Sequence, residues 1–263
     1  MNMRVQKINS DNNIKFKSGL TQKTENVINH LNIEMLEREF KTVFDIDAKF
    51  LGNKSVGGCF AYIINLCQEA SDKYRLPFYY CPPSIRLYKP SQLLDDSNLD
   101  ARGFCTLSAG NILEDEKSFN VGSIFIREIP DSIRNINRVQ EQRYRSHISS
   151  SSNFLGLFLH EWFHNIHINL IGKKLEEENF DTQDILNFWK NYSQKINIFK
   201  KIIIRHQISK YASTSYYELF SEVCTKLLTD SIDQENMTLR NNPMDGLRKM
   251  PSFVQKFINK ELS

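Results

Sequence analysis

The sequence predicts an α+β fold in which a small mixed sheet packs on one central helix and the C-terminal part is helical. Three observations predict it. Between Ala101 and Glu128, short apolar runs alternate with turn residues, the pattern of strands in a small sheet. From Asn153 onward, apolar residues recur at helical spacing. Between these regions, Phe154 to Ile168 is apolar on nearly every side, which marks a helix buried between layers.

In chain order, Met1 to Leu20 is a polar tail rich in Lys, Asn and Ser, without the apolar run of a secretory signal. Thr24 to Phe44 carries Val27, Ile28, Leu31, Met35, Leu36, Phe40 and Val43 at the spacing of one amphipathic helix. Ala61 to Ala70 reads as a second helix, entered through a flexible Gly57-Gly58 pair. Pro82, Pro83 and Pro90 punctuate a loop region around the short apolar run Ile85 to Tyr88. Gly103 to Leu107, Asn111 to Leu113 and Val121 to Arg127 supply the strands. Pro130 to Ser152 is polar and reads as a loop with some helix. After it, Trp189, Tyr192, Ile196, Phe199 and Ile203 form one apolar stripe. The expectation is a single domain over residues 21–263, with its sheet in about 21–150 and its helical part in about 151–263.

Composition narrows the classes. Of 263 residues, 40% are hydrophobic and 25% charged, the balance of a folded globular chain. Lys and Arg (34) barely exceed Asp and Glu (31), which argues against a nucleic-acid partner. Lys190, Lys195, Lys200, Lys201 and Arg205 read as a solvated helix face. Cys59, Cys67, Cys81, Cys105 and Cys224 form no C-x-x-C pair, so buried free thiols are expected rather than disulfides or a thiolate metal site. Phe154 to Ile171 is the longest apolar-rich stretch, but His160, Glu161, His164 and His167 interrupt it, so no membrane span is expected. A cytoplasmic location, or delivery by a route without a signal peptide, follows.

Residues 160–164 read His-Glu-Trp-Phe-His. Four helical residues turn about 400°, so the two imidazoles stand one above the other and can share a tetrahedral ion. Glu161 is turned about 100° from His160, beside the ion's open position, where its carboxylate can take a proton from a water. Burying two imidazoles and a carboxylate in so apolar a helix costs several kcal/mol unless they are paired or hold a metal. The pattern points to one zinc per chain, held by His160 and His164, with Glu161 as general base of a peptide hydrolysis. His167, three residues on, could support a ligand as a neighbour of the metal site.

A catalytic zinc site takes a third protein ligand. Glu218 and Glu222 lie four apart on one helical face, where like charges repel and a nearby cation would account for them. Ser215-Tyr-Tyr-Glu218 also reads as a capping box, in which Glu218 only reaches back to the helix start. The residues divide evenly between the two readings.

The stretch Tyr211 to Glu222 resembles the second motif of gluzincins of the anthrax lethal factor type, H-E-x-x-H peptidases in which a Tyr precedes by seven residues a Glu that opens E-x-F-A-E. Here Tyr211 precedes Glu218-Leu-Phe-Ser-Glu222. The resemblance spans Phe154 to Leu228, under a third of the chain, with Phe163 where a Gly is common and Ser221 where an Ala is. It implies a zincin-like fold, Glu218 as third ligand, Glu222 supporting a zinc-bound His, and Tyr211 stabilising the oxyanion or protonating the leaving amine. It also implies that an edge strand binds substrate as an added strand, for which Val121 to Arg127 is the candidate. Thermolysin-like gluzincins place the third ligand about twenty residues after the second His, at Asp184 here, within the polar run LEEENFDTQD.

These readings converge on a zinc metallopeptidase acting on a peptide or protein, with no nucleic acid or membrane among its partners. The competing expectation is a noncatalytic zinc-binding structural or interaction protein of the same fold, for example in a phage or mobile-element particle. Retention of zinc without any peptide hydrolysis would distinguish it.

Overall fold

The computed structural model describes residues 23–94, 101–177 and 196–263, apart from residues 108, 115, 117, 130, 131 and 234, together with residues 187 and 190. The tail 1–20, Asp184, Trp189 and Tyr192 lie outside the described residues.

The stretch Thr24 to Phe44 forms two helices rather than one, α1 (residues 23–29) and α2 (Ile33–Phe44). Asn32 breaks them. Its backbone is extended, and its side chain accepts from the amides of Glu34 and Met35, satisfying donors at the start of α2. The break rotates the apolar stripe, so that Ile28, Leu36 and Phe40 are buried while Val27, Met35 and Val43 face solvent. Helix α3 (Lys54–Tyr74) starts well before Ala61, capped by Asn53, and Gly57 and Gly58 lie inside it. These glycines serve close packing rather than flexibility: a Cβ on Gly57 would lie 2.7 Å from Ile33 Cδ1, and one on Gly58 would collide with Ile28.

Four strands form the main sheet: β1 (Asp47–Lys49), β2 (Ser84–Tyr88), β3 (Gly103–Cys105) and β4 (Ile124–Arg127), in the order β1-β2-β4-β3. β1, β2 and β4 run parallel, and β3 is antiparallel to β4. The run Ile85 to Tyr88, set among prolines and read as loop, belongs to an interior strand buried along its whole length. A parallel strand covered on both faces shows a continuous run rather than alternation. Asn111 to Leu113 is not a strand; Leu113 makes only an isolated bridge to Leu93. Val121 and Gly122 form a turn, with Gly122 at φ +84°, so β4 begins at Ile124.

Pro130 to Ser152 contains a full helix, α4 (Ile133–Arg145), capped by Ser132. Then follow α5 (Gly156–Glu177), α6 (Ile198–Gln207) and α7 (Tyr216–Asp230). The segment after Asn153 is not helical throughout, because β5 (Ile232–Asp233) and β6 (Thr238–Leu239) form an antiparallel hairpin. Strands of two residues are too short to leave a period-two signal. A 3-10 helix (Pro243–Lys249) and α8 (Ser252–Leu262) complete the described chain. On α6 the expected stripe is not the buried face: Phe199 is 75% and Ile203 38% exposed, while Ile204 is buried.

The mixed architecture, a small sheet with helices, agrees with the α+β expectation. Its centre is α5, which packs on β3, β4, α3, α7 and α8. Phe158 and Trp162 meet Phe60 at ring separations of 5.3 and 6.3 Å, and Phe163 packs edge-on against Phe78 at 4.9 Å. Phe163 is therefore a core residue, fully buried against Phe78. All five cysteines are free thiols; Cys59, Cys67 and Cys224 are buried, and Cys81 and Cys105 partly so. Among the described residues no helix is long and apolar enough to cross a membrane.

Candidate metal centre and active site

Helix α5 places His160 and His164 one turn apart with their Nε2 atoms 3.0 Å from each other. Helix α7 brings the third group. Ser215 caps it by accepting from the amide of Glu218 at 3.1 Å, but the Glu218 carboxylate does not fold back to complete a capping box. Its Oε2 points at α5 instead, 3.0 Å from His160 Nε2 and 3.2 Å from His164 Nε2.

Three lone-pair-bearing atoms thus converge within about 3 Å of one another in a buried setting. Glu218 Oε2 has no hydrogen bond of acceptable geometry there, despite its short distances to both rings. Such a cluster is repulsive unless a proton or cation lies within it. Zinc with bonds of about 2.0–2.1 Å in tetrahedral geometry sets its ligand atoms about 3.3–3.4 Å apart. The observed spacings lie close to this, and two imidazoles with a carboxylate are a zinc donor set, so the residues fit a bound zinc ion.

Glu222 lies one turn after Glu218 and is 2% exposed. Its Oε1 is 3.0 Å from His160 Nδ1, off the line of an ideal hydrogen bond. Its Oε2 accepts from the Ser150 amide and from Ser209 Oγ, and its backbone oxygen accepts from Ser150 Oγ. Burial alone would raise the Glu222 carboxyl, but His160, Ser209 and Ser150 outweigh it and hold the group below the usual carboxylate range. The same balance holds Glu218 low, through burial opposed by His164 and His160. His164 is pushed down to about 4 by burial. Its Nδ1 has no hydrogen-bond partner among the described residues, and Tyr217 stacks on its ring at 3.8 Å.

Glu161 is 4% exposed and is not one of the three converging groups. Burial raises its carboxyl to about 7, with His160 pulling the other way. It lines a cavity of about 150 Å³ together with His160, Glu222, Tyr211, Gly103 and Arg143. The backbone of β3 passes directly over it: a Cβ on Gly103 would lie 3.1 Å from Glu161 Cγ and 3.2 Å from its Oε1. Tyr211 closes another side, its ring 5.3 Å from that of His160. Its amide donates to Ile148 O at 3.3 Å, and burial together with Glu218 and Glu161 raises its phenol, keeping it protonated.

Two expectations are corrected. Val121 to Arg127 is not an edge strand, because β4 pairs with β2 on one side and β3 on the other; the edge beside the cavity is β3. His167 does not converge with His160, His164 and Glu218. Its Nε2 faces Glu261 Oε2 of α8 at 3.2 Å and its ring stacks on Phe220 at 4.0 Å, because three residues of helix turn it about 60° from His164. Sequence reasoning missed Gly103, Ser150, Ser209 and Arg143. A Gly within a strand was the one available signal, since glycine there marks close approach of another group.

No family model matches the sequence, and no curated relative matches it. Among solved structures, the chain is similar to a candidate zinc-binding metallo-peptidase from Bacteroides caccae, with 15% identity, 94% of this chain and 83% of that chain covered, and a TM-score of 0.36. A likeness that loose fixes neither fold nor function.

Proposed function

We propose that the protein is a zinc-dependent peptidase of the gluzincin kind, with a zincin-like fold, in which His160, His164 and Glu218 hold one zinc ion and Glu161 is the general base. The observation that carries this reading is the convergence of His160 Nε2, His164 Nε2 and Glu218 Oε2 at 3.0–3.2 Å, with Glu161 beside them on a cavity wall. The order of lethal factor-type gluzincins supports it, since Tyr211, Glu218 and Glu222 follow the H-E-x-x-H helix at that spacing.

Zinc bound there would acidify a water and polarise the scissile carbonyl. Glu161, poised near neutrality, takes a proton from the attacking water as the new C–O bond forms, and returns it to the amine nitrogen as the C–N bond breaks. Tyr211 keeps its proton and can donate a hydrogen bond to the developing oxyanion. Glu222 holds His160 by its far nitrogen and fixes which ring nitrogen faces the centre. Among the described residues β3 is the end strand of the sheet on the side of Glu161, and a peptide could add along it as a further strand.

The test combines metal analysis with identification of cleaved peptides. About one zinc per chain is expected, lost in His160→Ala and in His164→Ala, with peptide cleavage abolished in Glu161→Gln while zinc is retained. Stoichiometric zinc in both histidine variants, or cleavage by Glu161→Gln at the native rate, would remove the assignment. Stoichiometric zinc without cleavage of any peptide would favour a noncatalytic role.

A further inference from the structure

The cavity beside the metal centre holds a cation that the hydrolytic mechanism does not use. Arg143 lies in the last turn of α4 and lines the cavity with Glu161 and Tyr211. Its Nε is buried without a hydrogen-bond partner, and among the described residues its guanidinium forms no ion pair. Guanidinium groups offer a planar fork of donors matched to carboxylate; here the residue is half-buried, and its inner nitrogen Nε is out of reach of solvent with no acceptor, which is costly unless a ligand supplies one. Arg102, exposed at the mouth of the same cavity, adds a second positive charge without an ion-pair partner among the described residues.

The position of Arg143 is built rather than accidental. Gln140, one turn earlier on the same face of α4, is 3% exposed and donates to Ser149 Oγ at 3.0 Å and to Ser151 O at 2.9 Å. Ser150, between them, donates to Glu222, which in turn meets His160. One chain of buried hydrogen bonds therefore fixes α4, and with it Arg143, relative to the metal centre. Glu161 and Glu222 line the same cavity, but the first is the candidate base and the second is held by His160, Ser150 and Ser209, so among the described residues no carboxylate pairs with the guanidinium and a ligand can.

We infer that Arg143 binds a carboxylate of the substrate, so that the cavity selects peptides carrying a negative charge close to the bond held at the metal centre. That carboxylate belongs to an Asp or Glu side chain or to the peptide's own C-terminus. The inference rests on the reading of the site as a zinc centre that holds peptides. A purely electrostatic role for Arg143, keeping Glu161 ionised, is the competing explanation, and it would make no distinction among peptides.

Four fluorescent versions of one peptide separate these cases: free-acid or amidated C-terminus, combined with Glu or Gln in its interior. Binding is measured by anisotropy to the zinc-loaded chain carrying Glu161→Gln, so that no turnover is needed. At least one carboxylate should tighten binding, and whichever version does so identifies its source. Arg143→Gln should erase that preference, weakening the preferred peptide about 10-fold or more, the scale of losing a hydrogen bond to a charged group, while the version lacking both carboxylates changes little. Arg143→Lys, which keeps the charge but not the fork, should fall between and guards against a folding defect. Equal affinity for all four peptides, absence of binding, or an equal loss for all four in Arg143→Gln would overturn the inference. Peptides that bind with this preference but stay intact with the native chain would remove hydrolysis and leave the carboxylate site standing.

Discussion

Glu161→Gln should stabilise the metal-free protein at neutral pH. The carboxylate is 4% exposed and accepts no hydrogen bond among the described residues, and burial raises it from 4.5 to about 7. The folded chain therefore holds this proton more tightly than the unfolded chain. Its stabilising contribution is complete below about pH 4.5 and is lost as pH rises through about 7. At 1.36 kcal/mol for each pH unit, ionised Glu161 costs the fold about 3 kcal/mol at pH 8. Gln never ionises, but burying its amide without partners costs about 1–2 kcal/mol, leaving a net gain of roughly 1–2 kcal/mol at pH 8. At pH 4.5 the gain should vanish or reverse. Urea unfolding of both metal-free proteins at pH 4.5, 6 and 8 reads the difference directly. A difference that does not change with pH would refute the reasoning, since burial of an ionising group cannot give that result. Zinc should narrow the gap, because a nearby cation favours the ionised carboxylate.

Gly103→Ala should lower kcat/KM about 10-fold at unchanged zinc content, because the new Cβ must displace Glu161 or Ile126, the latter only 2.9 Å away. Native kinetics would show that the base tolerates the shift. Glu222→Ala leaves the Ser150 amide, Ser209 Oγ and His160 Nδ1 without their acceptor, and should cost roughly 3–5 kcal/mol of stability along with 10- to 100-fold in zinc affinity. Calorimetry with and without zinc checks both, and an unchanged melting profile would contradict this account. Glu218→Ala should weaken zinc binding more sharply than Glu222→Ala, and Asp184→Ala not at all; a competitive chelator titration in which Asp184→Ala loses zinc would move the third ligand.

The metal helix was legible because its signal is local. His160, Glu161 and His164 stand at helical spacing inside an otherwise apolar-rich segment, and that spacing alone sets their geometry. The third group was named only through the resemblance, since from the residues alone a Glu three positions after Ser215 suits a cap and a ligand equally, and the packing of α7 on α5 is what separates the two. Strand pairing was misread for a related reason. The strongest apolar run, Val121 to Arg127, is strong because β4 lies inside the sheet and is covered on both sides, so the edge had to be the weaker segment containing Gly103 and Cys105. Arg143 carried no signal at all: on a polar helix it looks like any solvated arginine until α4 folds against Ser149 and Ser151.

The enclosure of α5 bears on how metal would enter and leave. Its central turns are covered by the sheet, α3, α7 and α8, with His167 and Glu261 joining it to the C-terminal helix, so its amides should open to solvent exchange only when the whole domain unfolds. His160 and His164 thus sit on the most enclosed helix among the described residues. Glu218 is the more accessible one, its side chain 17% exposed at the start of α7 just beyond the turn that carries Tyr211. Were zinc held there, its release would proceed by motion of residues 209–218 rather than by fraying of the helix that carries the histidines, and its rate would report the stability of that turn.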